Sequence, residues 1–312
     1  MEGLKKEELM KRRGYIATME AAYRFVADNF KTILKVMWPY FLITSIVLGI
    51  YFILQLNTSM KMMSDPTDIS GSLAALALLP ILFIAYLFIY GKLLTLYNDQ
   101  SVGWNMLRYI KLTLWLALIF TVALIIFFTF IFSLGGFNDE QSATGDVISL
   151  GKTLLLGLLF SFIAVAILLP YIYVSMKYVV ETKSHFRHLI FKGWLKGMRH
   201  WGYIFVTTLL LYICLAIIGI IIYIPLYICG MAFYMSANGM AQGDPSGVPS
   251  YFTILVFLII VLTYFVYLFI SVYAFTVFYY MYGNIETYER EKEMQQLPIE
   301  PAVDETTENT VY

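Results

Sequence analysis

Long apolar stretches separated by short polar segments set the pattern of this chain. Six stretches, near 34–56, 72–97, 110–134, 152–180, 202–235 and 251–283, are long enough to cross a bilayer, which takes about 20 residues. The last two exceed the hydrocarbon thickness and are expected to tilt, kink or project beyond it. Pro80, Pro170 and Pro225 fall within stretches and read as kinks, because proline lacks an N–H and crowds the preceding turn. Pro39 reads as the first turn of the first span, where proline is tolerated. The expected fold class is all-α: a polytopic membrane bundle of six transmembrane helices, with amphipathic helices at its surface.

The polar segments refine that picture. Thr182 to Trp201 is the one long, strongly charged segment between spans. At 100° per residue, Phe186, Ile190, Trp194 and Met198 share a face, with Lys192, Lys196, Arg199, His185 and His188 opposite. This predicts a basic amphipathic helix lying on a membrane surface. The N-terminal arm predicts a second one. Tyr15, Ile16, Met19, Ala22, Tyr23, Val26 and Phe30 fall on one arc, which suits either lipid headgroups or the underside of the bundle. The remaining loops, around 60–71, 135–146 and 236–250, are short and rich in turn formers. From about Leu297 the chain is acidic, carries two prolines and has no apolar period, so it reads as disordered. The expected division is an arm at 1–33, a six-helix domain at 34–284, and a charged extension with an acidic tail at 285–312.

Composition agrees. The chain of 312 residues is 60% hydrophobic and only 13% charged, with mean hydropathy +0.74, where soluble domains carry roughly 25% charged residues. The formal net charge is zero, but the cations are unevenly placed. Nineteen of the 21 Lys and Arg lie in the N-terminal arm, the 92–111 and 177–200 segments and the C-terminal tail. The other three loops hold only Lys61 and Lys152. This alternation supports six spans and puts both termini on the cytoplasmic side. The N-terminus lacks an apolar core followed by a small-residue cleavage site, so no cleavable signal peptide is expected. Cys214 and Cys229 share one apolar stretch and read as packing residues.

Three units share a layout in which basic residues precede a tryptophan, an outgoing span and a returning span ending in tyrosine. The tryptophans are Trp38, Trp115 and Trp201, and the tyrosines Tyr97, Tyr178 and Tyr282. Three helix-hairpin repeats would give this layout; so would interfacial preference alone.

The run PYIYVSMKYVV from Pro170, the basic FRHLIFKGWLKGMRHWGYIF that follows, and the N-terminal YRFVADNFKTILKVMWPYF together resemble a family of bacterial six-span proteins. That family includes the membrane domain fused to some glycerophosphodiester phosphodiesterases. The resemblance covers roughly residues 15–290 and implies a bacterial cytoplasmic (inner) membrane. The soluble phosphodiesterase domain has no counterpart here, so the resemblance transfers no catalytic residue.

Candidate chemistry is sparse. The middle of every span lacks Asp, Glu, Lys, Arg and His, which counts against ion-coupled transport. Span residues such as Thr44, Ser45, Thr207, Thr263 and Ser271 read as helix-packing groups. His185 and His188 stand three apart without a nearby cysteine or carboxylate at ligand spacing, so no metal site and no cofactor are expected. There is no GxSxG, HExxH or P-loop. Gly193 and Gly197 form a GxxxG outside the spans, suited to close helix approach. Two candidate sites follow. Lys192, Lys196 and Arg199 are expected to contact anionic lipid. Tyr264, Tyr267, Ser271, Phe275, Phe278 and Tyr282 recur at steps of three or four in the last span; Tyr264, Tyr267, Phe275 and Phe278 are the expected wall of an apolar groove for an acyl or polyprenyl chain. Expected partners are membrane lipids, with a membrane-protein partner or a second copy also open, and no nucleic acid. The first functional reading is a non-enzymatic scaffold or lipid-associated module. The alternative is a transporter or flippase-like path for an apolar or amphipathic solute, and an intramembrane lipid enzyme comes third.

Overall fold

The computed structural model describes residues 8–64, 70–98, 100–133, 143–182, 186, 189–243, 247–249 and 251–296, with side chains throughout except at 60–64, 131–133, 143–154 and 241. Among the described residues every regular element is helical. A short helix α1 (Tyr15–Asp28) leads into α2 (Phe30–Ser64), α3 (Ser70–Leu94) and α4 (Val102–Ser133). The chain continues through α5 (Ala143–Leu168) and α6 (Pro170–Val180), a single π turn at Leu189–Gly193, and α7 (Trp194–Arg199). It ends with two long helices, α8 (Trp201–Ala241) and α9 (Phe252–Gln296).

Six helical segments are long and apolar enough to cross a membrane. Their outward faces carry large exposed apolar side chains, among them Leu118, Phe128, Leu158, Phe162, Ile217 and Ile220. Such faces are tolerated in hydrocarbon and not in water. The chain is a multi-pass membrane protein of the all-α class.

The helices pair as three hairpins, α2–α3, α4–α5 and α8–α9, which are not equivalent. α2 and α3 pack tightly, α9 lies between α2 and α8, and α4 leans on α3. The main core runs through Phe25 of α1, Met37 and Phe41 of α2, Leu93 of α3, and Val272 and Tyr280 of α9. The α4–α5 hairpin stands apart: 6% of the most apolar part of α4 is buried, against 33% for α2. The three tryptophans also differ. The indole N–H of Trp201 donates to the Ala166 carbonyl at 3.0 Å, whereas Trp38 is largely exposed.

Several details depart from expectation. The stretch at 152–180 is two helices broken at Leu169, with Pro170 opening the second, which suits proline because a first-turn N–H has no helical acceptor. At Pro80 and Pro225, by contrast, the helices α3 and α8 are unbroken, as a kink within a span allows. Pro39 lies inside α2, not at its start, because α2 begins four residues before the expected span at 34. α9 runs helically to Gln296, so residues 285–296 belong to a helix packed on the bundle, with Ile285, Glu286 and Glu289 buried. The acidic tail from Leu297, and His185, Arg187 and His188, lie outside the described residues.

Candidate functional site

One end of the bundle gathers α1, the turn at 95–98, the π turn with α7, and the last turns of α9. Helix α1 lies under this end. It buries Thr18, Ala21, Ala22, Phe25 and Val26 and leaves Ile16 and Tyr23 exposed. The apolar arc read from the sequence therefore serves two surfaces, one against the bundle and one facing outward. Thr18 Oγ1 and the Tyr203 hydroxyl are 2.7 Å apart, which ties α1 to α8. The backbone N–H of Arg13 donates to Asn284 Oδ1 at 2.6 Å, which ties it to α9. The Arg13 guanidinium donates to the carbonyls of Glu8 and Leu9 and lies over the Tyr280 ring.

Over its described residues the basic segment between α6 and α8 packs most of the expected apolar face on the bundle: Ile190 is buried, Phe186 and Trp194 are partly buried against the core, and Met198 is exposed. Leu189, Ile190, Gly193 and Gly197 are buried, while Phe191, Leu195 and Met198 are exposed. The reason is backbone proximity. A Cβ built on Gly197 would stand 3.0 Å from the Pro170 carbonyl oxygen, and one on Gly193 would reach Val174 at 3.4 Å. Gly197 lets this segment sit directly on the α6 backbone, whereas Gly193 leaves room for an ordinary contact with the Val174 side chain. Phe191, Lys192, Leu195, Met198 and Arg199 are left as an exposed surface of mixed apolar and cationic character.

Of the three cations expected to meet lipid, Lys192 and Arg199 are exposed. Lys196 is not free, because its Nζ lies 3.3 Å from Glu286 Oε2. Glu286, with 6% side-chain exposure, also accepts from Lys177 Nζ at 2.7 Å and from the Tyr173 hydroxyl. Glu181 accepts from the Tyr282 hydroxyl at 2.8 Å and sits 3.4 Å from Lys177. His200 Nε2 meets Glu289 Oε1 at 2.7 Å. This network locks α6, α7 and α9 together. Its acids come from residues that read, in the sequence, as loop and tail.

A second tie joins α4 to the C-terminus of α6. Arg108 donates to the carbonyls of Tyr178, Glu181 (3.1 Å) and Thr182 (2.8 Å), and its guanidinium lies over the Tyr178 and Trp104 rings. These are carbonyls that a helix end leaves without an internal partner. Asn98 and Asn105 exchange side-chain amide hydrogen bonds at 2.9 and 3.1 Å, and Asn98 also reaches the Val179 carbonyl.

Above these ties the α4–α5 hairpin separates from α8 and α9, and a crevice opens. One cavity, about 350 Å³, lies between α3, α4, α6, α8 and α9. Its wall includes Tyr267, Phe275 and Phe278 of the expected groove, together with Ser271. Tyr264 is elsewhere, stacked on Phe52 at 5.3 Å between ring centroids and close to Tyr223. It lies one turn further along α9, where the helix meets α2 and not the opening. The stacked rings of Tyr90 and Tyr109, 4.5 Å apart, complete the opposite wall. A second cavity, about 410 Å³, lies between α5, α6 and α8. Tyr212 lines both and is 59% exposed, so the crevice adjoins the lipid-facing surface. Among the described residues no group of three or more His, Cys, Asp or Glu could hold a metal ion.

No protein family, curated protein or solved structure matches this chain. The likeness in layout to the phosphodiesterase-linked membrane domain therefore rests on the quoted residues alone.

Proposed function

We propose that this protein is a membrane-embedded lipid-binding module, acting by holding a lipid and not by catalysis. The crevice carries this reading. Its cavities fall within the roughly 300–1,000 Å³ range of small-molecule sites. Its walls are apolar with a few hydroxyls, and it adjoins the bilayer at Tyr212. The surface beside it supports the same reading. Phe191 and Leu195 stand ready to enter the headgroup region, and Lys192 and Arg199 each add about 1 kcal/mol of attraction to an anionic leaflet. In this reading the basic end faces the cytoplasm of a bacterial cell, both termini lie there, and the network around Glu286 fixes the crevice floor.

A second reading is a path that moves a lipid between leaflets. The slight burial of α4 favours it, because a hairpin with few contacts can move at low cost.

Native mass spectrometry of the protein extracted with its own lipids tests the proposal. A defined lipid retained by the wild type and lost from Ala274→Phe, which fills the crevice from α9, is the expected result. Equal lipid retention by both proteins would reject the crevice as the site.

A further inference from the structure

We infer that the crevice selects an uncharged lipid whose hydroxyl or carbonyl oxygens sit below the headgroup plane, among a belt of tyrosine and serine hydroxyls. This inference rests on the lipid-binding reading above and names its ligand class. The polar lining of the larger-walled cavity consists of Tyr90, Tyr109, Ser175, Tyr212, Tyr267 and Ser271. Among the described residues, no Asp, Glu, Lys, Arg or His lines either cavity.

The cations nearest in the chain are already committed. Arg108, next to Tyr109, serves the carbonyls at the end of α6. Lys177, next to Met176 of the cavity wall, pairs with Glu286 and Glu181. Lys92 and Lys111 stand two residues from Tyr90 and Tyr109, a helical step of about 200°, and line neither cavity. A phosphate drawn into this space would lose its hydration and meet no free counterion, so a charged headgroup is excluded on cost.

The hydroxyls suit neutral oxygen. Ser175 Oγ donates to the Tyr171 carbonyl at 2.6 Å and Ser271 Oγ to the Leu268 carbonyl at 2.6 Å. Both serine oxygens therefore keep lone pairs turned to acceptance, while a tyrosine hydroxyl can donate or accept. Such a set can serve both a lipid hydroxyl and a lipid carbonyl. The depth agrees. Tyr90 is four residues from the end of α3, about 6 Å along its axis, and Tyr212 is eleven residues beyond Trp201, about 17 Å. The belt thus runs from near the end of α3 to about the middle of the hydrocarbon, which is about 30 Å thick. The adjoining cavity between α5, α6 and α8 is apolar except for Thr208 and takes the chains.

The test uses the full chain in detergent with equimolar dioleoylglycerol and dioleoylphosphatidylglycerol, which share acyl chains and differ in the charged group. Native mass spectrometry reads the occupancy of each. Dioleoylglycerol is expected to be retained in preference. Tyr90→Phe and Tyr267→Phe are each expected to weaken it about fivefold, the effect of one lost hydrogen bond, with Tyr109→Phe, whose hydroxyl also bonds Tyr90 and Thr113, and Ser271→Ala as further variants. Each keeps the wall intact, and a thermal melt checks folding. Preferential retention of dioleoylphosphatidylglycerol, or indifference of all four variants, would overturn the uncharged-lipid assignment while the lipid-binding reading stands. Retention of neither probe, with Ala274→Phe holding co-extracted lipid like the wild type, would overturn both.

Discussion

The network at Glu286 gives a sharp energetic prediction. Its carboxylate has 6% side-chain exposure and meets Lys177 at 2.7 Å and Lys196 at 3.3 Å, with the Tyr173 hydroxyl as a third donor. Glu286→Ala removes the anion and leaves two ammonium groups facing each other. Breaking a buried pair by deleting one partner costs about 3–5 kcal/mol. Two features place this case at the low end. The lysine side chains keep 19% and 20% exposure, and Glu181 already stands 3.4 Å from Lys177. The expected loss is about 3 kcal/mol. Glu286→Gln keeps an oxygen for Tyr173 and is expected to lose about half of that, in the range for a hydrogen bond to a charged group. Combining Glu286→Met with Lys177→Met and Lys196→Met is expected to recover part of the loss, because the two ammonium groups no longer face each other, and only part, because the Tyr173 hydroxyl loses its acceptor and Glu181 loses Lys177. The assay is reversible denaturant unfolding in mixed micelles, with Lys192→Ala as the exposed reference, expected within about 0.5 kcal/mol of wild type. If Glu286→Ala is no less stable than Lys192→Ala, the cluster is solvated and does not hold α6 and α7 to α9.

Other perturbations address the remaining contacts. Gly197→Val places side-chain carbon against the Pro170 backbone, where even a Cβ stands at 3.0 Å; a loss of about 1–3 kcal/mol is expected in the same unfolding assay, with Gly14→Ala, which meets nothing within 4 Å, near neutral. Arg108→Lys keeps the charge but not the fork that serves three carbonyls, so about 1–3 kcal/mol should be lost, and a wild-type melting curve would refute the capping role. In a Cys214→Ala, Cys229→Ala background, Gln242→Cys and Lys192→Cys should react with an impermeant thiol reagent from opposite sides of a sealed vesicle; labelling of both from one side would reject the six-span threading. Lys192→Gln with Arg199→Gln should weaken binding to anionic vesicles by about 2 kcal/mol at low salt, and the difference should shrink as salt rises. Unchanged binding would remove the headgroup role from this surface.

What could be read in advance follows from the range of each interaction. Membrane spans are signalled by runs of about 20 apolar residues, so all six were legible, and the loop-by-loop alternation of Lys and Arg is read the same way. The last turns of α9 were not. Hydropathy falls after Gly283 while the helix continues to Gln296, and Glu286 and Glu289 find their partners 89–113 residues away in sequence. No periodic cue reports such a pairing, so buried ion-pair acids resemble the solvated acids of a tail. The crevice was half legible for the same reason. Tyr267, Ser271, Phe275 and Phe278 lie on one helix and repeat at helical spacing, whereas Tyr90, Tyr109, Ser175 and Tyr212 each come from a different helix. Tyr264 marks the limit of extrapolating a stripe, since helical period says which residues share a face and not where the neighbouring helix ends the opening. The basic segment shows the complementary failure. Its apolar residues suggested a face lying on a membrane surface, but Ile190, Phe186 and Trp194 pack on the bundle, where Gly197 admits the backbone of α6. A side chain that is absent carries no hydropathy, yet here its absence set the packing.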